Sequence, residues 1–124
     1  MGLASWITFT GFRRDLPRLF EALEVVCVPS RNEAFGLTVI EAMAAGKVVV
    51  GQVGQEVPRV VEETFGTPLP IVDVNDDTLE DVLRDLAADR ERRQQLAADS
   101  ASYVRKVHDV DLVAKMLDRE FLAK

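Results

Sequence analysis

Apolar residues along the chain form short β-branched runs that alternate with stretches of helical spacing. Two such runs, Val25–Val28 and Val48–Val50, are compact, and Pro29 ends the first. Runs of this kind are typical of buried strands. Between them, four apolar residues recur at the spacing of one helix face: Leu37, Ile40, Met43 and Ala44. Gly46 follows where a helix end favours a residue that can adopt positive φ. The pattern predicts a βαβ unit.

Two further strands are predicted on either side of this unit. Trp6–Thr10 is an aromatic and β-branched run that we interpret as the first strand, and Pro70–Val74 as the last. About four strands that alternate with helices indicate an α/β fold. We expect a Rossmann-like, three-layer domain with a parallel sheet. No linker or repeat divides the chain, so residues 1–124 are predicted to form one domain.

The remaining helices are predicted from caps and apolar stripes. Asp15 is a candidate N-cap with Pro17 in the first turn, and Thr78 is a candidate cap further on. Either Asp109 or Asp111 could cap a last helix. The charged run 89–95 is interpreted as the solvated face of a helix rather than a binding patch. Val57, Val60 and Val61 fit a short helix after the second strand of the unit.

Composition excludes several classes of function. The 124 residues carry a net charge of −6, which disfavours binding to nucleic acid or to an anionic membrane. The single cysteine, Cys27, lies in an apolar run and is expected to be a buried thiol. With one His and one Cys, no zinc site of the usual kinds is expected. No apolar stretch approaches the length of a membrane-spanning helix, and no signal peptide is recognised, so we expect a cytoplasmic protein.

The loop after the first strand of the unit carries the candidate chemistry. It contains Ser30 and Glu33, and Phe35, Gly36 and Leu37 lead into the helix. Amide groups at a helix N-terminus have no internal partners and favour an anion such as a phosphate. Gly36 has no Cβ and lets a ligand approach the backbone. Glu33 and Glu41 flank this point, and each could accept hydrogen bonds from a sugar diol.

The same stretch resembles the donor-binding signature of the retaining GT-B glycosyltransferases of the group 1 (GT4-like) family. The residues that match in register are Pro29, Ser30, Glu33, Phe35, Gly36, Leu37, Glu41, Ala42, Met43, Ala44 and Gly46. The resemblance implies that Glu33 lies near the transferred sugar and has the catalytic position. It implies that Ser30 and the amides around Phe35, Gly36 and Leu37 meet the sugar and the diphosphate. It also implies that Glu41 holds the nucleotide ribose.

Other positions are less well defined by the resemblance. Gly11 and Phe12 would lie beside the nucleotide base, whereas Arg13 and Arg14 could either belong to a solvated loop or contact a donor phosphate. After the second strand of the unit the chain departs from the family pattern, although Gly54 still offers a turn close to a ligand. Without the resemblance, Glu33 and Glu41 would be interpreted as exposed residues with no function.

The resemblance implies only part of an enzyme. GT-B enzymes have two Rossmann-like halves, and this chain would be the donor-binding part of the C-terminal half. The partners implied are a nucleotide sugar and a missing N-terminal acceptor domain or partner chain, with no cofactor and no metal. The function implied is transfer of a sugar from a nucleotide diphosphosugar to an acceptor hydroxyl. A non-catalytic nucleotide-sugar-binding module and a GT-B-like epimerase are the alternatives.

Overall fold

The computed structural model of the chain describes residues 2–29 and 36–122, with the backbone alone for Leu122. These residues form a parallel sheet of three strands in the order β1-β2-β3. The strands are β1 (Val25–Val28), β2 (Val48–Gly51) and β3 (Val72–Asp73). Val25 pairs with Val48, and Val50 pairs with Val72, so the strands start at one edge of the sheet and end at the other. The α/β class and the parallel sheet are confirmed.

Six α-helices surround the sheet in the described part of the chain: α1 (Leu16–Glu21), α2 (Leu37–Ala44), α3 (Val57–Phe65), α4 (Leu79–Ala88), α5 (Arg90–Val107) and α6 (Val110–Leu117). A short 3-10 helix (Leu3–Ser5) precedes them, and a π-helical turn (Asp118–Leu122) follows them. Each helix that was predicted is present. Pro17 lies in the first turn of α1, where its missing N–H has no partner to lose.

Successive residues of a strand point to opposite faces of the sheet, and both faces are covered. On one face, Val26 and Val49 pack with Phe20 of α1, Met43 of α2 and Tyr103 of α5. On the other face, Val48, Val50 and Val74 pack with Leu86 of α4. The two clusters make the predicted three layers: helices, sheet and helices.

The buried face of α2 differs from the predicted one. Val39, Ala42 and Met43 contact the core, whereas Leu37 is 60% exposed. Residues three and four apart share a helix face, and 39, 42 and 43 satisfy that spacing as well as the predicted set does. The rotation leaves Leu37, at the start of the helix, facing solvent.

The predicted strand Trp6–Thr10 is not formed. This segment pairs with no strand among the described residues, and Trp6, Ile7 and Phe9 are 77%, 51% and 94% exposed. A β-branched and aromatic run becomes a strand only when a neighbouring strand and a core face are available to it. The sheet therefore has three strands in the described part of the chain, and the predicted strand at Pro70–Val74 shortens to Val72–Asp73.

Cys27 is exposed, not buried as predicted. It faces the same side as Val50, its partner in β2, and it lines a small cavity together with Leu79 of α4. Partial desolvation nevertheless raises the pKa of the Cys27 thiol. The apolar run around a cysteine predicts a strand correctly, but not which faces of that strand are covered.

The caps are only partly as predicted. Asp109 caps α6, since its Oδ1 accepts a hydrogen bond from the Leu112 N–H (3.0 Å). Asp15 occupies the N-cap position of α1 without capping it, because its carboxylate pairs with Arg13. Thr78 likewise makes no cap bond to α4. The Oγ1 of Thr78 instead accepts a hydrogen bond from the Asn75 N–H (3.0 Å).

The interpretation of 89–95 as a solvated face is wrong for Arg93. Its side chain is 16% exposed and makes an ion pair with Glu24 (Nε to Oε2, 3.2 Å). Its Nη1 also donates to the carbonyl oxygens of Leu86 and Ala87, which end α4. Arg93 thus joins α4 and α5 to the residue that precedes β1.

The last helical segment presents apolar side chains to solvent. Val110, Leu117 and Phe121 are 80%, 52% and 74% exposed. Within the described residues, no helix combines the length and hydropathy that crossing a membrane requires.

Candidate functional site

The N-terminus of α2 is built as the sequence predicts. Gly36 is its N-cap with φ 62° and ψ 39°, a left-handed conformation that glycine adopts at little cost. Leu37 is the first helical residue, so its amide and the next ones have no partner inside the helix. Glu41 follows one turn and a half later and is exposed. The N-terminal amides and Glu41, which lies in the middle of this helix of 8 residues, therefore belong to the same short element.

Three predicted site residues lie outside the described part of the chain. They are Ser30, Glu33 and Phe35. The roles that the family resemblance implies for them remain predictions.

A large cavity connects α2 with the segment before α1. It has a volume of about 820 Å³, and Phe12 and Glu41 both line it. Phe20 and Ala44 supply apolar walls, and Arg14 supplies a cation. The volume lies within the range of small-molecule sites. The structure thus brings together Phe12 and Glu41, which are 29 positions apart in the sequence.

The two arginines in this cavity differ in their partners. Arg13 forms a bidentate pair with Asp15, with Nε–Oδ1 and Nη2–Oδ2 distances of 2.8 and 2.5 Å. The hydrogen bond from Arg13 lowers the pKa of the Asp15 carboxyl. Arg14 has no ion-pair or hydrogen-bond partner among the described residues. Arg14 is consequently the guanidinium that remains available to a ligand.

A second cavity of about 60 Å³ lies where the three strands end. It is lined by residues that follow each strand, including Pro29, Gln52 and Asn75. The carboxyl ends of parallel strands are the usual ligand edge of an open α/β sheet. The structure therefore retains an opening at this edge.

Two residues hold the loops at this edge: Asp73, for which the sequence predicts no role, and Asn75, in a turn that the sequence does predict. Oδ1 of Asp73 accepts a hydrogen bond from the Val53 N–H (2.8 Å), which fixes the turn after β2. Oδ1 of Asn75 accepts from the N–H groups of Asp77 and Thr78 (2.9 and 3.0 Å). The Asn-Asp-Asp sequence signals such a turn through the tendency of Asn to bond backbone amides two and three residues on. No comparable local signal marks Asp73, because its partner is 20 residues away.

The two remaining predicted glycines lie at turns outside the linings of both cavities. Gly11 has φ +66° and directly precedes Phe12. The carbonyl oxygen of Gly54 accepts the Val57 N–H at the start of α3 (3.0 Å). Gly11 therefore shapes the turn before Phe12, whereas Gly54 belongs to the turn that begins α3. Within residues 2–29 and 36–122, no three His, Cys, Asp or Glu side chains are grouped so that they could hold a metal ion.

Comparisons with known proteins identify the family of the chain. The family described as "Glycosyl transferases group 1" matches residues 1–102. A D-inositol 3-phosphate glycosyltransferase from Xylanimonas cellulosilytica is 40% identical over 108 residues, which is 86% of this chain and 25% of the relative. One of the same name from Mycolicibacterium vanbaalenii is 35% identical over 118 residues, 90% of this chain and 25% of the relative.

A lipopolysaccharide core biosynthesis mannosyltransferase from Rhizobium meliloti is 38% identical over 102 residues, 82% of this chain and 28% of the relative. The chain therefore spans about a quarter of the length of these curated relatives. No solved structure matches the chain. With the family matched over most of its length, the chain belongs to the group 1 glycosyl transferases.

Proposed function

We propose that the chain is the donor-binding part of a retaining glycosyltransferase. In the intact enzyme, a sugar would pass from a nucleotide diphosphosugar to an acceptor hydroxyl. The observation that carries the proposal is the cavity of about 820 Å³ that Phe12 and Glu41 both line, with Glu41 on the helix that begins after Gly36. Membership of the group 1 family supports sugar transfer as the reaction.

The proposed roles follow from the chemistry of each group. The Glu41 carboxylate accepts hydrogen bonds from the ribose hydroxyls, which a carboxylate can do with both oxygens. The amides that begin at Gly36 and Leu37 donate to the diphosphate, where the helix dipole favours negative charge. The exposed ring of Phe12 packs against the base, with Gly11 shaping the turn before it. Glu33 orients the transferred sugar, Ser30 and Phe35 complete the loop, and Gly54 lies near the ligand.

A separate acceptor-binding domain is part of the proposal. The relatives are about four times as long as the stretch they share with this chain. The exposed Val110, Leu117 and Phe121 provide an apolar surface on which such a domain could pack. Catalysis would then take place between the two domains, with the donor held by this one.

Titration with nucleoside diphosphates tests the donor site. Calorimetry or NMR with UDP, GDP and ADP should give saturable binding to one of them. Glu41→Ala removes one or two ribose hydrogen bonds, and we expect a loss of about 5- to 150-fold in affinity. Glu41→Gln keeps an acceptor and should lose less.

A carboxylate on a different surface supplies the control. Glu62→Ala removes the same charge from the exposed side of α3, away from both cavities, and should leave nucleotide affinity unchanged. Equal losses for Glu41→Ala and Glu62→Ala would refute a ribose contact and indicate a general effect of charge. Absence of binding up to millimolar nucleotide would refute a working donor site in this chain.

A further inference from the structure

We propose that the chain has a second ligand site, for a phosphate monoester, at the edge of the sheet where β1 and β2 begin. A cavity of about 200 Å³ opens there, between the residues that precede the two strands and the first turns of α5. The residues that the proposal uses are Glu24, Lys47, Arg90 and Arg93. A volume of several water molecules accommodates a phosphate group and a few further atoms.

The charge of this cavity is opposite to that of the chain. Three cations and one carboxylate line it, although the whole chain has a net charge of −6. The one carboxylate, that of Glu24, is already paired with Arg93. Lys47 and Arg90 have no ion-pair partner among residues 2–29 and 36–122. Two cations are therefore left to an incoming anion.

Arg93 forms a rigid part of the wall of this cavity. Its Nη1 donates to two carbonyl oxygens, those of Leu86 (2.6 Å) and Ala87 (2.8 Å), and its Nε bonds Glu24. A guanidinium has five N–H donors, so donors on Nη2 remain after these contacts. Because the side chain is largely buried and held at three points, it loses little further freedom when an anion binds.

One further carboxylate lies beside the site. Asp89 precedes Arg90 and caps α5, where its Oδ1 accepts the Arg92 N–H (2.9 Å), and its charge offsets part of that of the cations. The positive end of the α5 dipole lies at the same place and adds to the attraction for an anion. Three cations against the carboxylates of Glu24 and Asp89 leave an excess of positive charge, and the oxygens of a phosphate group can accept hydrogen bonds from several of the free N–H donors at once.

This site is distinct from the candidate donor site. The two cavities share no lining residue: the larger one is lined by Glu41 and Ala44 of α2, and the second one by Gly46 and Lys47, which follow that helix. The inference therefore stands whether or not the chain binds a nucleotide sugar.

NMR titration of the isotopically labelled 124-residue chain with inorganic phosphate tests the site. Chloride at matched ionic strength serves as the reference for general screening. We expect saturable shifts of the amides of Gly46, Lys47 and Arg90 with phosphate, and much smaller shifts with chloride. Equal shifts with both salts, or shifts confined to Gly36 and Leu37, would overturn the proposal.

Matched variants assign the binding to the proposed cations. Lys47→Gln and Arg90→Gln should each weaken phosphate binding about tenfold, as expected for loss of one charge-assisted hydrogen bond. Arg105→Gln removes the same charge from the same helix, about 22 Å from Arg90 along its axis, and should have no effect. A loss with Arg105→Gln as large as with Arg90→Gln would refute the site, provided that both variants keep the parent circular dichroism spectrum.

Two probes identify the source of the phosphate. Glycerol 3-phosphate tests a soluble ester, and vesicles that contain phosphatidic acid, compared with phosphatidylcholine alone, test a lipid head group. Binding of either probe that is weakened by Arg90→Gln supports the site and identifies its source. Failure of both probes would overturn the assignment of a phosphate monoester.

Discussion

Removing the Leu86 side chain should destabilise the fold strongly, because Leu86 is the fully buried residue of α4 in the cluster on one face of the sheet. Its side chain is fully buried and packs against Val48, Val50 and Val74. Truncation of a buried Leu to Ala typically lowers the free energy of unfolding by about 2–5 kcal/mol. The loss combines the transfer free energy of the removed atoms with the cost of the cavity that they leave. Since β2 is buried on both faces and cannot move to fill the space, we expect Leu86→Ala to reach the middle of that range.

Thermal and chemical unfolding measure this loss. For a chain of 124 residues, about 2–5 kcal/mol corresponds to a fall of roughly 8–19 °C in Tm. Leu86→Met conserves volume and should cost less than about 1.5 kcal/mol, which keeps the test informative if the Ala variant does not fold. Leu117→Ala makes the same truncation at a 52% exposed position and should change stability by less than about 0.5 kcal/mol. Equal effects of Leu86→Ala and Leu117→Ala would refute the packing of α4 on the sheet.

Three further predictions concern single groups. Cys27 should react fully with a maleimide in the folded chain. Its reaction at neutral pH should be slower than that of a free cysteine, because its raised pKa leaves less thiolate. A thiol that reacts only after unfolding would contradict the exposure of Cys27. Gly46→Ala should lower the free energy of unfolding by about 1–2 kcal/mol, because the φ of Gly46 is +69°. An added Cβ would meet no steric clash, since its nearest neighbour, the Ala97 oxygen, is 3.9 Å away. An unchanged free energy of unfolding would exclude the left-handed conformation. By NMR, the pKa of the Asp15 carboxyl should lie below its usual value and should rise towards that value in Arg13→Gln. The stabilisation from this pair is therefore present above the unfolded-state pKa and lost as pH falls. An unshifted pKa of Asp15 would exclude the pair.

The sequence is sufficient to predict the central βαβ unit because several local signals agree there. The runs at Val25–Val28 and Val48–Val50, the helical spacing between them and Gly46 at the helix end each indicate the same elements, and β1, α2 and β2 form at those places. Each signal depends on neighbours within a few residues. Local preference and global fold coincide in such segments.

Predictions that depended on distant partners were less successful. Trp6–Thr10 has strong strand propensity, yet it has no partner strand among the described residues. Cys27 lies in a strand as predicted, but its exposure depends on packing by residues outside that strand. Arg93 is charged and therefore predicted to be solvated, but α4 ends beside it and its guanidinium satisfies two terminal carbonyl groups.

The candidate site likewise has parts that local sequence predicts and parts that depend on distant residues. Gly36 and the start of α2 are local features, and the structure has them as predicted. The cavity between Phe12 and Glu41 depends on how α1 packs against α2, which no local pattern reveals. The Asp73–Val53 hydrogen bond spans 20 residues and is likewise invisible without the structure.

The position of β1 at the edge of the sheet bears on how the chain behaves at high concentration. In the described part of the chain, β1 pairs with β2 on one side, and no strand lies along its other side. An unprotected strand edge is a template for another chain, and the exposed apolar segment around Ile7 and Phe9 would add to the attraction. With only four residues, β1 can form few backbone hydrogen bonds with a second copy. Self-association through this edge should therefore be weak and reversible, and dilution should reverse it.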